Sequence, residues 1–320
     1  MAIDCHAHRL ANFYHFISHL AESPTHPYRR AWADGTGDIT PAERRHLGRF
    51  RAVHDSYGID DKPPVPGEER FLQKPFTWPA EEEDGWLAIR DWVDSDAHFA
   101  ELAQVFGAFR SRFERVWRDD APRLADWSAM LPRLVQRDSH AAIAAALARL
   151  HLSEPTASRL DVYLLLSTAD RSGGSAELGA DAVTVHCSRI AQDADGRDRV
   201  VWTLYHEWTH TFQWGPMLDR VLGFATTVED SDFMRSRAAR AMPGVVGFII
   251  EVLARVVGSY CYRRWYPRLA VHARSDLASR PQDRALWTLV DEYVRKGRAI
   301  DQEFLTRFWA IGAAAGYEVY

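Results

Sequence analysis

Hydrophobic residues recur at helical spacing over most of the chain. Apolar side chains three and four residues apart predict one broken helix or two successive helices over residues 81–117. A segment rich in alanine and leucine predicts another helix over residues 139–150, and the pattern from about Leu218 onward is again helical. Helix is therefore the expected structure for most of the chain.

The pattern changes after Pro155, where short apolar runs replace the helical spacing. Residues 160–167 predict a buried strand, the glycine-containing stretch 171–175 a turn, and residues 182–187 a second strand. No other segment has a convincing strand pattern. We therefore expect an α+β protein that is predominantly helical, with one small sheet near the middle of the chain.

The length and hydrophobic content are sufficient for a large core. With 320 residues, of which 47% are hydrophobic, the chain can form one or two closely packed lobes. We expect a mainly helical N-terminal lobe over residues 1–128 and a second lobe, which contains the sheet, over residues 129–320. No internal repeat is apparent, and nothing in the sequence predicts the oligomeric state.

Charge and cysteine content argue against several classes of partner. The net charge of −5 gives no basic surface for nucleic acid and no attraction to anionic membranes. The longest apolar stretch, residues 245–257, is short for a membrane span and contains Glu251 and Arg255. The start of the chain has no signal-peptide pattern, and three scattered cysteines do not suggest a disulfide scaffold. We expect a cytoplasmic protein with neither a nucleic-acid nor a membrane partner.

One motif points to metal chemistry: the HExxH sequence at residues 206–210, within a segment of helical pattern. Histidines four residues apart lie on the same face of a helix, so His206 and His210 can share one metal ion. Glu207 lies beside such an ion without having to bind it, which is the position of a general base. Zinc enzymes of this type need a third protein ligand and one open position for water.

Glu251 is the first choice for the third ligand. It lies in a helix that is otherwise apolar around most of its circumference, where an unpaired carboxylate is costly. Small residues share its face and allow a neighbouring helix to approach closely; they are Gly244, Gly247, Ala254 and Gly258. The alternative explanation is an ion pair between Glu251 and Arg255, one turn later.

Glu229 is the alternative third ligand. Its separation from His210 is the one used by a large aminopeptidase family with the same motif. The segment 226–230 also has the residues of a capped helix start, where acidic side chains are favoured without any metal. Asp230 and Asp232 are weaker alternatives for the same role.

Together, these features resemble the gluzincins, which are zinc metallopeptidases with HExxH on one helix and a glutamate ligand on a later one. The resemblance covers about residues 160–260. It implies a zincin-like catalytic lobe in which a strand, a turn and an edge strand precede the metal helix, with residues 182–187 as the edge strand that pairs with extended substrate. Many gluzincins also have an aspartate four residues after the glutamate ligand, but this chain has Arg255 there, or Phe233 if Glu229 is the ligand.

The resemblance also implies a mechanism and a substrate class. Zn2+ bound by His206, His210 and Glu251 activates a water, Glu207 accepts its proton, and a peptide or protein substrate is hydrolysed at a peptide or amide bond. The oxyanion requires a further donor, for which Tyr260 is the first choice. Tyr262 and His272 are the alternatives.

Two other readings compete with the metallopeptidase. His6 and His8 resemble the HxH at the end of the first strand in amidohydrolase-type barrels, although such a barrel needs seven further strand–helix units. The second alternative is a non-catalytic helical binding protein with a structural or degenerate metal site. His15 and His19 are explained by a partly exposed aromatic helix face, and His186 by a partly exposed strand position.

Overall fold

The structure is a computed structural model, and it describes residues 2–22, 27–57, 81–93, 95–153, 159–167, 173–176, 182–238, 244–268 and 281–314. The helices of the first half are α1 (Arg9–Ala21), α2 (Pro27–Thr36), α3 (Pro41–Tyr57), α4 (Glu82–Trp92), α5 (Asp96–Leu134) and α6 (Arg137–His151). Those of the second half are α7 (Ala194–Thr211), α8 (Pro216–Val228), α9 (Asp232–Ala238), α10 (Val245–Trp265), α11 (Pro281–Lys296) and α12 (Gln302–Ala314).

The strands form one mixed four-stranded sheet. They are β1 (Ala2–His6), β2 (Arg159–Leu165), β3 (Gly173–Ala176) and β4 (Ala182–His186), in the order β1-β2-β4-β3. β1, β2 and β4 are parallel to one another, and β3 pairs antiparallel with β4 at the edge of the sheet. The prediction of a predominantly helical α+β protein with a small sheet is therefore confirmed.

Several individual elements agree with the sequence pattern, and others differ. The segment 81–117 contains two successive helices, α4 and the start of α5, and the helix predicted over 139–150 corresponds to α6. The boundary predicted at residue 128 lies inside α5, and the division into lobes stays a prediction.

The sheet corrects three expectations about strands. The edge strand next to the metal helix is β3, whereas β4 lies in the interior between β2 and β3. The prediction of a turn in this region is wrong because the four residues of β3, Gly-Gly-Ser-Ala, form a strand without any hydrophobic alternation in their sequence. The expectation that no further segment forms a strand is wrong, because the segment that contains His6 and His8 begins with β1. This strand belongs to an open sheet rather than to a barrel in the part of the chain that the structure describes.

From Val200 onward, helix α7 is buried on nearly all sides, and it packs against β3, β4 and α10. The side chain of Asp193 caps its first turn by accepting a hydrogen bond from the backbone N–H of Gly196 at 2.8 Å. Only glycine fits at position 196, because a Cβ atom there would lie 1.7 Å from the carbonyl oxygen of Ala191. The sequence before the HExxH motif therefore fixes where this helix begins.

Helix α10 crosses α7 at close range. A Cβ atom at Gly258 would lie 2.9 Å from the carbonyl oxygen of Tyr205 and 3.1 Å from the Cα of His206, so the two backbones approach to a distance that only glycine allows. By length and composition α10 also suffices to cross a membrane, but 72% of its apolar window is buried inside the fold, as in a core helix. This crossing brings α10 beside the HExxH motif.

We predict that Gly258→Ala lowers the free energy of unfolding by about 1–3 kcal/mol, because the added methyl group forces α10 away from the backbone of α7. The measurement is chemical denaturation followed by circular dichroism. The matched control is Gly107→Ala in α5, where a Cβ atom meets nothing within 4 Å. There the better helix propensity of alanine should raise stability by about 0.5–1 kcal/mol. Equal effects at the two positions would contradict the close crossing.

Candidate metal centre

The structure brings His206, His210 and Glu251 together at the crossing of α7 and α10. Nε2 of His206 lies 3.2 Å from Oε1 of Glu251, and Nε2 of His210 lies 3.4 Å from Oε2. The two imidazole rings are nearly perpendicular, at 85°, with centroids 5.0 Å apart. One potential ligand atom from each of the three residues lies within 4.8 Å of the other two.

These separations fit a tetrahedral zinc site. Zinc binds histidine nitrogen and carboxylate oxygen at about 2.0–2.1 Å, so two ligands of a tetrahedral ion lie about 3.4 Å apart. The two nitrogen–oxygen distances are close to that value, and each involves a different oxygen of Glu251. The Glu251 side chain is 40% exposed, so the cluster is open to solvent on one side. Two histidines, one carboxylate and an open side match the ligand set of a catalytic zinc site.

The Glu207 carboxylate lies next to this cluster and is buried. Its Oε1 is 3.9 Å from Nε2 of His206, and the residue is only 7% exposed. Burial raises the pKa of Glu207, and the nearby His206 and His210 partly offset that rise. Strand β3 covers the side chain, since a Cβ atom at Gly174 would lie 2.5 Å from Cγ of Glu207. The carboxylate is thus held beside the cluster by the edge strand.

Burial and hydrogen bonding act in opposite directions on Glu251. Burial raises the pKa of this carboxyl, but the hydrogen bonds from His206 and His210 outweigh it and hold the pKa well below its usual range. In His210 burial lowers the pKa, while the hydrogen bond to Glu251 and the charge of Glu207 raise it to a larger extent. The negative charge of Glu251 is therefore stabilised by its contacts with the two imidazoles.

Gln213 orients His210, a role that sequence analysis missed. Its Nε2 donates a hydrogen bond of 2.9 Å to the carbonyl oxygen of Ile250, so its Oε1 faces His210. Nδ1 of His210 lies 2.8 Å from that oxygen and must carry the proton, which leaves the lone pair on Nε2 for a metal. Because Ile250 precedes Glu251, the same amide ties the end of α7 to the segment that holds the third ligand.

The ring of His206 is positioned by packing against a neighbouring aromatic side chain more than by hydrogen bonds. Its ring stacks on Trp202, one turn earlier, with centroids 5.5 Å apart. The indole of Trp202 donates a 2.8 Å hydrogen bond to Ser259 on α10, which fixes the platform beneath the imidazole. Nδ1 of His206 is buried and has no hydrogen-bond partner among the described residues.

The structure does not bring Tyr260 to the cluster. Tyr260 follows Glu251 by nine residues, which places it on the opposite face of α10. Its hydroxyl donates a 2.7 Å hydrogen bond to Asp291 of α11, and its ring packs edge-on against Trp287. Tyr262 faces α7 but donates its hydroxyl hydrogen to Asp198, at the beginning of that helix. His272 lies outside the described residues.

The alternative third ligand lies elsewhere as well. Glu229 is exposed at the C-terminal end of α8, so the predicted helix start at residues 226–230 is wrong: α8 ends there, and α9 begins after Ser231. Asp230 is exposed, and Asp232 forms an ion pair with Arg235. The carboxylate that the fold brings to the two histidines is that of Glu251.

No protein family model, curated protein or solved structure matches this chain. The interpretation of the centre therefore depends on its own geometry.

We predict that Gln213→Ala weakens zinc binding by about 10–100-fold, because the proton on Nδ1 of His210 loses its acceptor. Gln213→Glu should bind zinc far better than Gln213→Ala, since its carboxylate still accepts that proton. Competition with a chromophoric chelator measures both affinities. Equal affinity in Gln213→Ala and the unmodified protein would exclude this orienting role.

Proposed function

We propose that the protein is a zinc-dependent metallopeptidase with a zincin-like catalytic lobe. One observation carries the proposal: three residues with the ligand atoms of a catalytic zinc site converge beside a buried carboxylate, that of Glu207. His206, His210 and Glu251 are the proposed zinc ligands. This arrangement is similar to that of the gluzincins, in which the first two ligands and the general base share one helix.

Glu207 is the proposed general base. Zinc, when bound, supplies a Lewis acid that makes a water molecule more acidic and polarises the substrate carbonyl. Glu207 then accepts a proton from the attacking water and delivers it to the nitrogen that leaves when the C–N bond breaks. Its burial under β3 keeps the carboxylate in one position and limits competition from bulk solvent.

An extended peptide is the proposed substrate class. β3 is an edge strand that packs against α7, and Gly174 within it lies directly over Glu207. An edge strand binds an extended peptide through main-chain hydrogen bonds, whatever its side chains. A substrate paired with β3 would therefore place its backbone carbonyls near the general base.

The amidohydrolase alternative has less support. Nε2 of His6 forms a 2.8 Å hydrogen bond with Asp161 of β2, and its ring stacks on Tyr163. The neighbouring strands form an open sheet. A non-catalytic protein with a structural or degenerate metal site is the remaining alternative, and it is an outcome of the first test below.

We predict that Glu207→Gln retains bound zinc but loses hydrolysis by at least about 100-fold, because the amide cannot accept a proton. The assay is cleavage of a mixture of internally quenched peptides, with zinc content measured on the same samples by elemental analysis. Zinc binding without cleavage in the unmodified protein would support a structural site. Full activity in Glu207→Gln would rule out its role as the base.

We also predict that Glu251→Ala loses one equivalent of tightly bound zinc, whereas Glu229→Ala retains it. Glu229 is the matched control because it is an exposed glutamate that the sequence also offers as a ligand. Zinc is measured by elemental analysis after dialysis against a weak chelator. The reverse result would assign the third ligand to Glu229.

A further inference from the structure

A second cluster of histidines lies on the other side of β3. His15 and His19 are one turn apart on α1, with ring centroids separated by 4.0 Å. The ring of His186, the last residue of β4, lies 4.3 Å from that of His15 and 5.9 Å from that of His19. One nitrogen from each of the three residues lies within 4.8 Å of the other two.

The fold holds this cluster rigidly. The side-chain amide of Asn12 joins α1 to the end of β2: it donates to the carbonyl oxygen of Leu164 at 3.1 Å and accepts from the N–H of Leu166 at 2.8 Å. Leu165, between these two, is the register partner of His186 in β4. The helix and the strand that supply the three imidazoles are thus connected through the backbone of β2.

Hydrogen bonds leave metal-binding lone pairs in the cluster. Nε2 of His15 lies 3.1 Å from the carbonyl oxygen of Leu166, which can only accept, so Nε2 carries the proton and Nδ1 has the lone pair. A backbone carbonyl in this position is a usual partner of a metal-binding histidine. Nδ1 of His186 is buried and has no hydrogen-bond partner in the part of the chain that the structure describes.

His19 has a weaker competing contact. The indole N–H of Trp32 donates to Nδ1 of His19 at 3.3 Å, beyond the usual range of such bonds. A metal bond to Nδ1 of His19 replaces this contact with Trp32. Burial lowers the pKa of His15 well below its ordinary value and that of His186 to about 3, a shift that favours the neutral rings. Neutral imidazole is the form that binds metals.

The cluster borders a cavity of about 260 Å³. This volume is many times that needed for one water molecule, so a bound ion would have space for a water or a small ligand. The wall also contains the Glu22 and Arg51 pair, with Oε2 and Nη2 4.0 Å apart, which adds no net charge. Gly174 and Ser175 of β3 complete the side nearest to Glu207.

We propose that His15, His19 and His186 form a second metal site, which binds a divalent transition-metal ion such as Zn2+ and leaves an open coordination position at the cavity. Three imidazoles without a carboxylate favour zinc, copper or nickel over magnesium or calcium. Three protein ligands and one open position are also the arrangement of catalytic rather than structural zinc sites. The site uses no residue of the first centre, and it stands whether or not the proposed peptidase activity is correct.

The test separates the two centres by substitution. Chelator-washed Glu251→Ala protein is titrated with Zn2+ in a calorimeter, and the same titration is repeated after adding His19→Gln. We expect the Glu251→Ala protein to bind about one tight equivalent, and the additional His19→Gln substitution to weaken that binding by more than about 100-fold. His54→Gln in the same background is the matched control, because His54 lines the same cavity without belonging to the cluster, and its binding should be unchanged.

A second measurement addresses folding. Without metal, His19→Gln should melt at a temperature close to that of its parent, and Zn2+ should raise the melting temperature of the parent only. His186→Gln provides an independent loss of a ligand from the strand side. Equal zinc affinity in the His19→Gln and His54→Gln proteins, with both folded, would overturn the proposal. Binding that is lost with Glu251→Ala alone would overturn it too, because it would assign all tight zinc to the first centre.

Discussion

The close approach of α7 and α10 is the constraint on which the first centre depends. Because no side chain intervenes at Gly258, the backbone of α10 lies against that of His206, and Glu251, two turns earlier, reaches both imidazoles. The cost of this packing is electrostatic, since Glu207 is buried and lies near the carboxylate of Glu251, whose negative charge adds to the effect of burial in raising the pKa of Glu207. A divalent cation between the imidazoles and Glu251 would offset that cost, so the close packing of α7 and α10 also supports the proposed metal site.

The parts of this centre that sequence analysis predicted are those that depend on local rules. Helical periodicity places His206 and His210 on one face wherever the helix lies. Glu251 could be selected because a carboxylate within an apolar helix needs a partner, although its partner lies on another helix. The prediction of Tyr260 as the oxyanion donor rests on its proximity to Glu251 along the chain alone, and the helical angle between the two residues directs Tyr260 to α11 instead. Helical angle is therefore a better guide than chain separation for residues that follow a ligand.

The features that sequence analysis missed depend on contacts between distant segments. β3 is a strand because β4 pairs with it, and its four small residues have no pattern that would predict it. Gln213 follows His210 by three residues, and this spacing was the available sequence signal for a contact between them. Its orienting role depends on the hydrogen bond to the carbonyl oxygen of Ile250 on α10, which the sequence does not predict. His15 and His19 have the spacing of a metal-binding pair, but the sequence offers no third ligand beside them, so a partly exposed helix face explains them equally well. His186 comes next to them only when the sheet has formed.

The edge strand connects the two groups of histidines. Gly174 lies against Glu207 on one side, and with Ser175 it lines the cavity at His15, His19 and His186 on the other. A Cβ atom at position 174 would also lie 2.5 Å from the carbonyl oxygen of Thr184 in β4, so the strand cannot move aside to accept a side chain without disturbing its own pairing. A peptide that pairs with this edge would therefore lie along the strand that borders both clusters.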